Sequence, residues 1–134
     1  MTRSQEREQA FTLVFEKGFN TDLAIHEIYD MAVESEFMKP SAFTERLAKL
    51  TAENTDAIDE KIKEFSVGWT LDRITKVSLS ILRIAVCEML YMDDVPVGVS
   101  INEAVELAKN YATNEDGQFI NGVLGSIARD MEKK

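Results

Sequence analysis

The stretch from Thr70 to Met92 constrains the fold more than any other part of the chain, because apolar residues cover nearly its whole helical circumference. A helix that is apolar on all sides belongs at the centre of a helical protein, with other helices packed around it. We therefore predict one long, buried central helix over these residues. Its remaining polar positions share one stripe by helical spacing, which can open to the surface or to a polar partner. They are Lys76, Ser80 and Arg83.

The spacing of apolar residues predicts further helices before this segment. Thr2 and Gln5 have the spacing of a capping box, so the first helix is expected to begin near Thr2 or Ser4 and to end at Gly18. The second pattern runs from Asp22 to Lys39, where the proline that follows disfavours continuation. Two helices are therefore expected ahead of that proline.

Polar residues with capping chemistry mark the starts of the other helices. Ser41 is placed to cap a third helix and Asn54 to cap a fourth. Ser100 and Glu103 have capping-box spacing and predict the start of the helix after the central one, while the last helix is expected to begin near Asp116. These signals predict about seven helices in all.

The composition supports an all-α fold. The 134 residues are 45% hydrophobic, enough for one core, and they include only 6 glycines and 2 prolines, which supply few turns for strands. We therefore expect a single domain over residues 1–134. No apolar stretch is long enough to span a bilayer and the N-terminus lacks the apolar core of a signal peptide, so we expect a cytoplasmic protein without membrane contact. Because the chain begins with Met1 and ends in a charged run, we expect it to be complete.

Residues that usually carry catalysis are sparse. The only histidine, His26, is not paired by local sequence with a serine or cysteine nucleophile, and the only cysteine, Cys87, falls inside the apolar central segment. No spacing resembles a calcium loop, a zinc-protease motif or a phosphate-binding glycine loop. We therefore expect no enzymatic activity, cofactor or metal site, with His26 at the surface or half-buried and Cys87 in the core.

The net charge of −9 argues against general nucleic-acid binding, which depends on clustered lysine and arginine. Any RNA contact should be local or shared with a basic partner. Arg3 and Arg7, one turn apart at the start of the first helix, can engage consecutive phosphates of a single strand, although a terminal arginine pair is usually only solvated. In the central segment, Arg83 is expected to form a buried salt bridge to Glu103 or Glu106.

A C-terminal segment, a third to two-fifths of the chain, reads LRIAVCEMLYMDDVPVGVSINEAVELAKNYATNEDGQFINGVLGSIA. Its motifs LRIA, DVP, INEAVELAK and FINGVL match, in order and spacing, those of the NusB family of bacterial antitermination proteins, which the chain resembles. The segment from Trp69 to Val77 and the N-terminal pattern at Arg7, Glu8 and Ala10 extend the resemblance. It implies an all-helical fold of two packed helical subdomains.

The resemblance also implies a function and partners. Together with NusE, a ribosomal small-subunit protein, NusB proteins bind the boxA element of ribosomal RNA leader transcripts and help RNA polymerase, in an antitermination complex, to read through terminators. The charge of this chain fits such a partnership, because an acidic protein can bind a basic ribosomal protein by electrostatic complementarity. RNA affinity is therefore expected to rise sharply when NusE is present.

Candidate RNA-binding residues follow from the same resemblance. The arginine-rich N-terminal helix of the family corresponds here to Arg3 and Arg7. The loop before FINGVL, which lies on the RNA-binding side in the family, contributes Gln118, whose amide can donate to phosphates or base edges. Lys109 and Lys76 are predicted as neighbours of this surface.

Three alternatives stay open at this point. The acidic charge also fits a helical protein–protein interaction module that does not bind RNA. Some ribosomal-RNA cytosine methyltransferases carry a NusB-like N-terminal domain, so the chain can also be read as the recognition half of such a system, without catalysis. An uncovered apolar face can support a homodimer.

Overall fold

The computed structural model describes residues 1–133, which form seven α-helices, one 3-10 turn and no strand. The predicted all-α fold is confirmed. The 3-10 turn is Leu71–Arg73 and lies between the fourth and fifth α-helices. The helices are α1 (Arg3–Lys17), α2 (Ile25–Glu34), α3 (Ala42–Glu53), α4 (Thr55–Phe65), α5 (Lys76–Tyr91), α6 (Val97–Tyr111) and α7 (Asn114–Glu132).

The helices form two groups that share α5. In the first group α1, α2 and α3 pack against one another, and in the second α4, α6 and α7 pack around α5. The same α5 also packs against α1 and α3, so the buried side chains of both groups join in one apolar core. This arrangement agrees with the two packed subdomains that the family resemblance implies.

The prediction of a buried central helix is confirmed in position but not in length. Nearly every α5 side chain from Ser78 to Met89 is buried, and Cys87 is fully inside the core. The helix begins at Lys76 rather than at Thr70, because the Thr75 hydroxyl accepts a hydrogen bond from the backbone N–H of Ser78 at 3.2 Å and ends the preceding extended segment. Of the apolar residues before Thr75, Leu71 belongs to the 3-10 turn and Ile74 has an extended backbone.

Two of the predicted helix starts are confirmed by their capping geometry. Thr2 Oγ1 accepts from the backbone N–H of Gln5 at 3.1 Å, and Gln5 Oε1 accepts from that of Thr2 at 2.8 Å, which completes the capping box of α1. Ser41 Oγ accepts from the backbone N–H of Thr44 at 3.0 Å and caps α3. The exposed His26 also agrees with its prediction as a surface residue.

Two other helix boundaries differ from their predictions. The second helix is shorter than Asp22 to Lys39, because its last turn is closed by Ser35 and the backbone then enters the left-handed region at Glu36, with φ of 65°. Ser100 is not a cap but lies inside α6, which begins directly after Pro96. The side chain of Glu103 is bound by Ser4 and Arg7 of α1, so the expected capping box does not form.

The last two helix starts differ only in detail. Asn54 precedes α4 as predicted but makes no side-chain cap, because its amide donates to the backbone oxygen of Leu50 at 2.8 Å. The final helix begins at Asn114, two residues before the predicted Asp116, because Thr113 is its cap.

The salt bridge predicted for Arg83 exists, but its partner is different. Arg83 binds Asp59 of α4 through two hydrogen bonds of 2.8 Å, and neither Glu103 nor Glu106 contacts it. Both side chains are about four-fifths covered, at 21% and 17% exposure. The bidentate pair therefore fixes α4 against α5.

Candidate nucleic-acid interface

A polar groove of about 660 Å³ runs between α6 and α7 and brings Lys109 and Gln118 together. Three asparagines line it as well, so amide side chains dominate its polar surface. Each amide offers both a donor and an acceptor, which suits contact with base edges and phosphate oxygens alike. The polar side chains of this amide groove include Asn102, Lys109, Asn114, Gln118 and Asn121.

The turn between α6 and α7 sets the orientation of the amide groove. Thr113 Oγ1 accepts from the backbone N–H of Asp116 at 3.1 Å, and Asp116 Oδ2 accepts from that of Thr113 at 3.2 Å. This capping box starts α7 at Asn114, so that Asn114, Gln118 and Asn121 follow at intervals of four and three residues. Residues at such intervals share one helix face, which here is turned towards α6.

Lys109 supplies the only cation among the described residues of the amide groove. Its Nζ lies 3.1 Å from Glu106 Oε1, with exposures of 64% and 62%, so solvent screens the pair and a phosphate can displace the carboxylate. Because Glu106 lines the groove as well, the charges cancel. The groove is therefore a hydrogen-bonding surface more than a cationic one.

Arg3 lies at the start of α1 and presents its charge to solvent, with 58% of its side chain exposed. Its guanidinium stands 4.1 Å above the centre of the Phe43 ring, and its Nη1 lies 3.4 Å from Glu6 Oε1. The ring contact holds the guanidinium plane without using its N–H donors. Arg3 is thus oriented and able to receive an anion.

Arg7 occupies a different environment, although it is one turn further along α1. Its side chain is 3% exposed, and Nε and Nη2 donate to the Glu88 carboxylate at 2.9 and 2.8 Å. Nη1 lies 3.3 Å from Glu103 Oε1, and the Ser4 hydroxyl donates to the same oxygen at 2.5 Å. The prediction that Arg3 and Arg7 form one solvent-facing pair is wrong, because the Arg7 guanidinium is taken up by two carboxylates inside the protein.

The buried carboxylate that pairs with Arg7 is electrostatically strained. Burial raises the pKa of Glu88 above its ordinary value, and this effect exceeds the opposing effect of the hydrogen bonds and charge of Arg7. Arg7, Glu88 and Glu103, here called the buried ion cluster, join α1 to α5 and α6. The cluster therefore holds the N-terminal helix in place.

Lys76 is separated from the other candidate residues. It opens α5, and its Nζ lies 4.7 Å from the centre of the ring of Phe19, which follows the C-terminal end of α1. Arg3 is at the opposite end of that helix, whose 15 residues span about 22 Å. The structure thus groups Lys109 with Gln118 and places Arg3 and Lys76 at the two ends of α1.

Sequence reasoning missed the three asparagines of the amide groove. Their signal is present in the chain, since Asn114 and Asn121 share the helical phase of Gln118 and Asn102 lies seven residues before Lys109. An outward-facing row of amides is less conspicuous than a cluster of charges.

None of the described helices is both long and apolar enough to cross a bilayer.

Comparison with known proteins identifies the relationship of the whole chain. A family model described as "NusB family" matches residues 4–129. The transcription antitermination protein NusB of Natranaerobius thermophilus is 41% identical over 137 residues, which cover 99% of each chain. The protein of the same name from Bacillus subtilis is 41% identical over 133 residues, again with 99% of each chain covered.

Solved structures show the same similarity in three dimensions. NusB of T. maritima superposes with a TM-score of 0.83 at 30% identity and covers 97% of this chain and 92% of its own. A chain in the crystal structure of antitermination factors NusB and NusE in complex with double-stranded RNA gives a TM-score of 0.82 at 25% identity, with 97% and 99% covered. The chain therefore belongs to the NusB family.

Proposed function

We propose that this chain is a transcription antitermination factor that binds boxA-type leader RNA together with the ribosomal protein NusE. In this role it joins the antitermination complex of RNA polymerase and promotes read-through in ribosomal RNA operons. The observation that carries the proposal is the 41% identity to a transcription antitermination protein over 99% of both chains. The similarity to a chain from a complex of NusB, NusE and double-stranded RNA supports the choice of partners.

We further propose that residues 1–134 act as a single RNA-binding domain without catalytic activity, in the cytoplasm. The shared core of the two helix groups supports one domain, since α5 contributes buried side chains to both. The proposed activity is binding, which requires surface complementarity and no reacting group.

The RNA contacts are assigned from exposure and grouping. Arg3 and Lys109 are exposed and supply phosphate contacts, while Gln118 and the asparagines beside it bind base edges or phosphates. Lys76 contacts a more distant part of the RNA, beyond the other end of α1. Arg7 keeps its carboxylate partners and acts on RNA indirectly, by fixing the helix that carries Arg3.

NusE has a defined electrostatic role in this proposal. The proposed contacts include three cations, Arg3, Lys76 and Lys109, and the amide groove is nearly neutral, so the chain alone offers RNA little charge. Its net charge of −9 also repels phosphates. A basic ribosomal protein lowers this repulsion and adds its own cations beside the groove. The pair then presents a surface that the acidic chain lacks by itself.

A calorimetric titration tests the proposal directly. A boxA-type RNA is titrated into the protein, into NusE and into the equimolar mixture at one salt concentration, with a scrambled RNA of equal length as the control. We expect much tighter binding by the mixture than by either protein, and little binding of the scrambled RNA. Equal affinity with and without NusE would refute the shared surface, and no binding in any mixture would favour a protein-interaction module.

A further inference from the structure

A second groove, of about 900 Å³, lies between α1, α2 and the segment that follows α2. Unlike the amide groove, it includes large hydrophobic side chains that stand open to solvent. Phe37 is 88% exposed and Met31 is 55% exposed. This surface, here called the methionine groove, includes Leu23, Ile28, Met31, Phe37 and Met38.

The methionine groove is built into the fold and held by specific contacts. After α2 the backbone takes a left-handed turn at Glu36, and the backbone N–H of Phe37 donates to the oxygen of Ala32 at 2.9 Å. The Gln9 side-chain amide then forms two hydrogen bonds with the backbone of Lys39: its oxygen accepts from the N–H at 3.0 Å, and its nitrogen donates to the backbone oxygen at 3.1 Å. These contacts keep Phe37 outside and the groove open.

The surroundings of the methionine groove are strongly acidic. Residues 18–38 carry five aspartates and glutamates and neither lysine nor arginine. The lining itself holds three carboxylates, those of Glu8, Glu16 and Glu36, and Lys39 is the only lysine or arginine among its described residues. The groove therefore combines an apolar floor with a negative rim.

This combination selects the chemistry of an occupant. RNA phosphates are repelled by the carboxylates, and a second copy of a chain with net charge −9 would set like charges against one another. A helix with an apolar stripe flanked by lysines or arginines satisfies both the floor and the rim. Methionine side chains repack easily around such a stripe.

We propose that the methionine groove docks a basic, amphipathic helical segment of a partner protein. The site is separate from the amide groove, so it can be occupied while RNA is bound there. The proposal depends on neither boxA RNA nor NusE, and it can fail while the antitermination function stands.

A synthetic peptide serves as the probe. It consists of about 18 lysines and leucines with the leucines on one helical face. One control peptide has the same composition with the leucines scattered round the helix, and a second has glutamate in place of lysine. By fluorescence anisotropy we expect the full-length protein to bind the first peptide at least about tenfold more tightly than either control. Equal binding of the scattered peptide would overturn the proposal, since charge alone would then explain the attraction.

Matched variants locate the site. Met31→Asp and Phe37→Asp alter exposed side chains and should each weaken peptide binding at least about tenfold, because they replace apolar contact surface with a hydrated carboxylate. Val67→Asp is the control, since Val67 is also 88% exposed but lies outside the methionine groove. Glu16→Lys should weaken binding about threefold more than Glu132→Lys, which changes the net charge equally. Equal losses in the control variants would overturn the assignment.

Methyl-labelled methionine provides a direct positional readout. On titration with the amphipathic peptide, the NMR signal of the exposed Met31 should shift, whereas those of Met89 and Met92, buried in the central core, should not. Met131, on α7, reports whether the peptide binds outside the methionine groove. If its signal shifts while that of Met31 stays unchanged, the peptide binds elsewhere and the proposal is wrong.

Discussion

The buried ion cluster and the amide groove use polar residues in opposite ways. In the cluster, Arg7 and Glu88 are full charges with almost no exposure, and their bonds join α1 to the central helix. In the groove, neutral amide side chains stand open to solvent. The comparison teaches that the buried charge of Arg7 serves the fold, whereas we propose that the exposed amides serve RNA recognition beside a few exposed cations.

The largest test of this contrast is removal of the Arg7 side chain. Arg7→Met leaves Glu88 charged and buried without its partner, and should lower the free energy of unfolding by about 3–5 kcal/mol in urea denaturation at neutral pH. The double variant Arg7→Met with Glu88→Leu should recover most of that loss, because no uncompensated charge remains. A loss below about 1 kcal/mol in the single variant would show that the cluster does not hold α1.

The pH dependence of the same variant sharpens the argument. Burial raises the pKa of Glu88, so its contribution to stability is present below the ordinary value of 4.5 and is lost as pH rises through the folded-state pKa. Arg7→Met removes the effect that opposes this rise. The difference in unfolding free energy between variant and parent should therefore shrink, by on the order of 1 kcal/mol, from pH 8 to pH 5. If the difference in unfolding free energy instead grows as the pH falls, Glu88 is not a buried carboxylate without a partner in the variant.

Substitutions in the amide groove should affect RNA affinity more than stability, unlike those in the buried ion cluster. Replacing Asn114 and Gln118 with alanine removes two hydrogen-bonding groups from an exposed surface, so stability should change by less than about 0.5 kcal/mol. Affinity for boxA-type RNA in the presence of NusE should fall by about tenfold, with an unchanged slope against salt concentration because no charge is lost. Asn20→Ala, at an exposed position outside the groove, is the matched control. If the double variant loses much stability and keeps its RNA affinity, the amide groove has a structural role like that of the buried ion cluster, and the contrast is wrong.

Arg3 gives the smallest and most specific effect. Arg3→Ala should leave stability within about 0.5 kcal/mol of the parent and should reduce the salt slope of RNA binding by about 0.7, the value for one phosphate contact on a single strand. The comparison variant is Lys49→Ala, which removes an equal charge from an exposed position on α3. Identical slopes for Arg3→Ala and the parent would remove Arg3 from the interface.

Much of the fold could be predicted because its signals are local. The apolar circumference of α5 and the caps at Thr2 and Ser41 depend on residues within one or two turns, and the structure confirms them. The early end of α2 was not predictable from periodicity, since it depends on a left-handed turn at Glu36 that the side-chain pattern does not encode. Rules based on neighbouring residues therefore predict the presence of the helices better than the residues at which they end.

The candidate site was less predictable because its decisive contacts are distant in sequence. Arg7 and Glu88 are 81 residues apart, so nothing near Arg7 distinguishes a buried arginine from a solvated one. Arg83 was correctly expected to form a salt bridge, but the choice of Asp59 over Glu103 depends on how α4 packs on α5. Partners of this kind become visible only when the helices are assembled.

The position of α5 between the two helix groups has a consequence for synthesis of the chain. Helices α1 to α3 emerge from the ribosome first, yet their apolar faces and Arg7 are completed by residues of α5. In a nascent chain, helices α1 to α3 therefore keep hydrophobic surface uncovered until residue 91, the end of α5, has left the exit tunnel. The interval of greatest exposure to chaperones and proteases is thus set by translation of the middle of the chain.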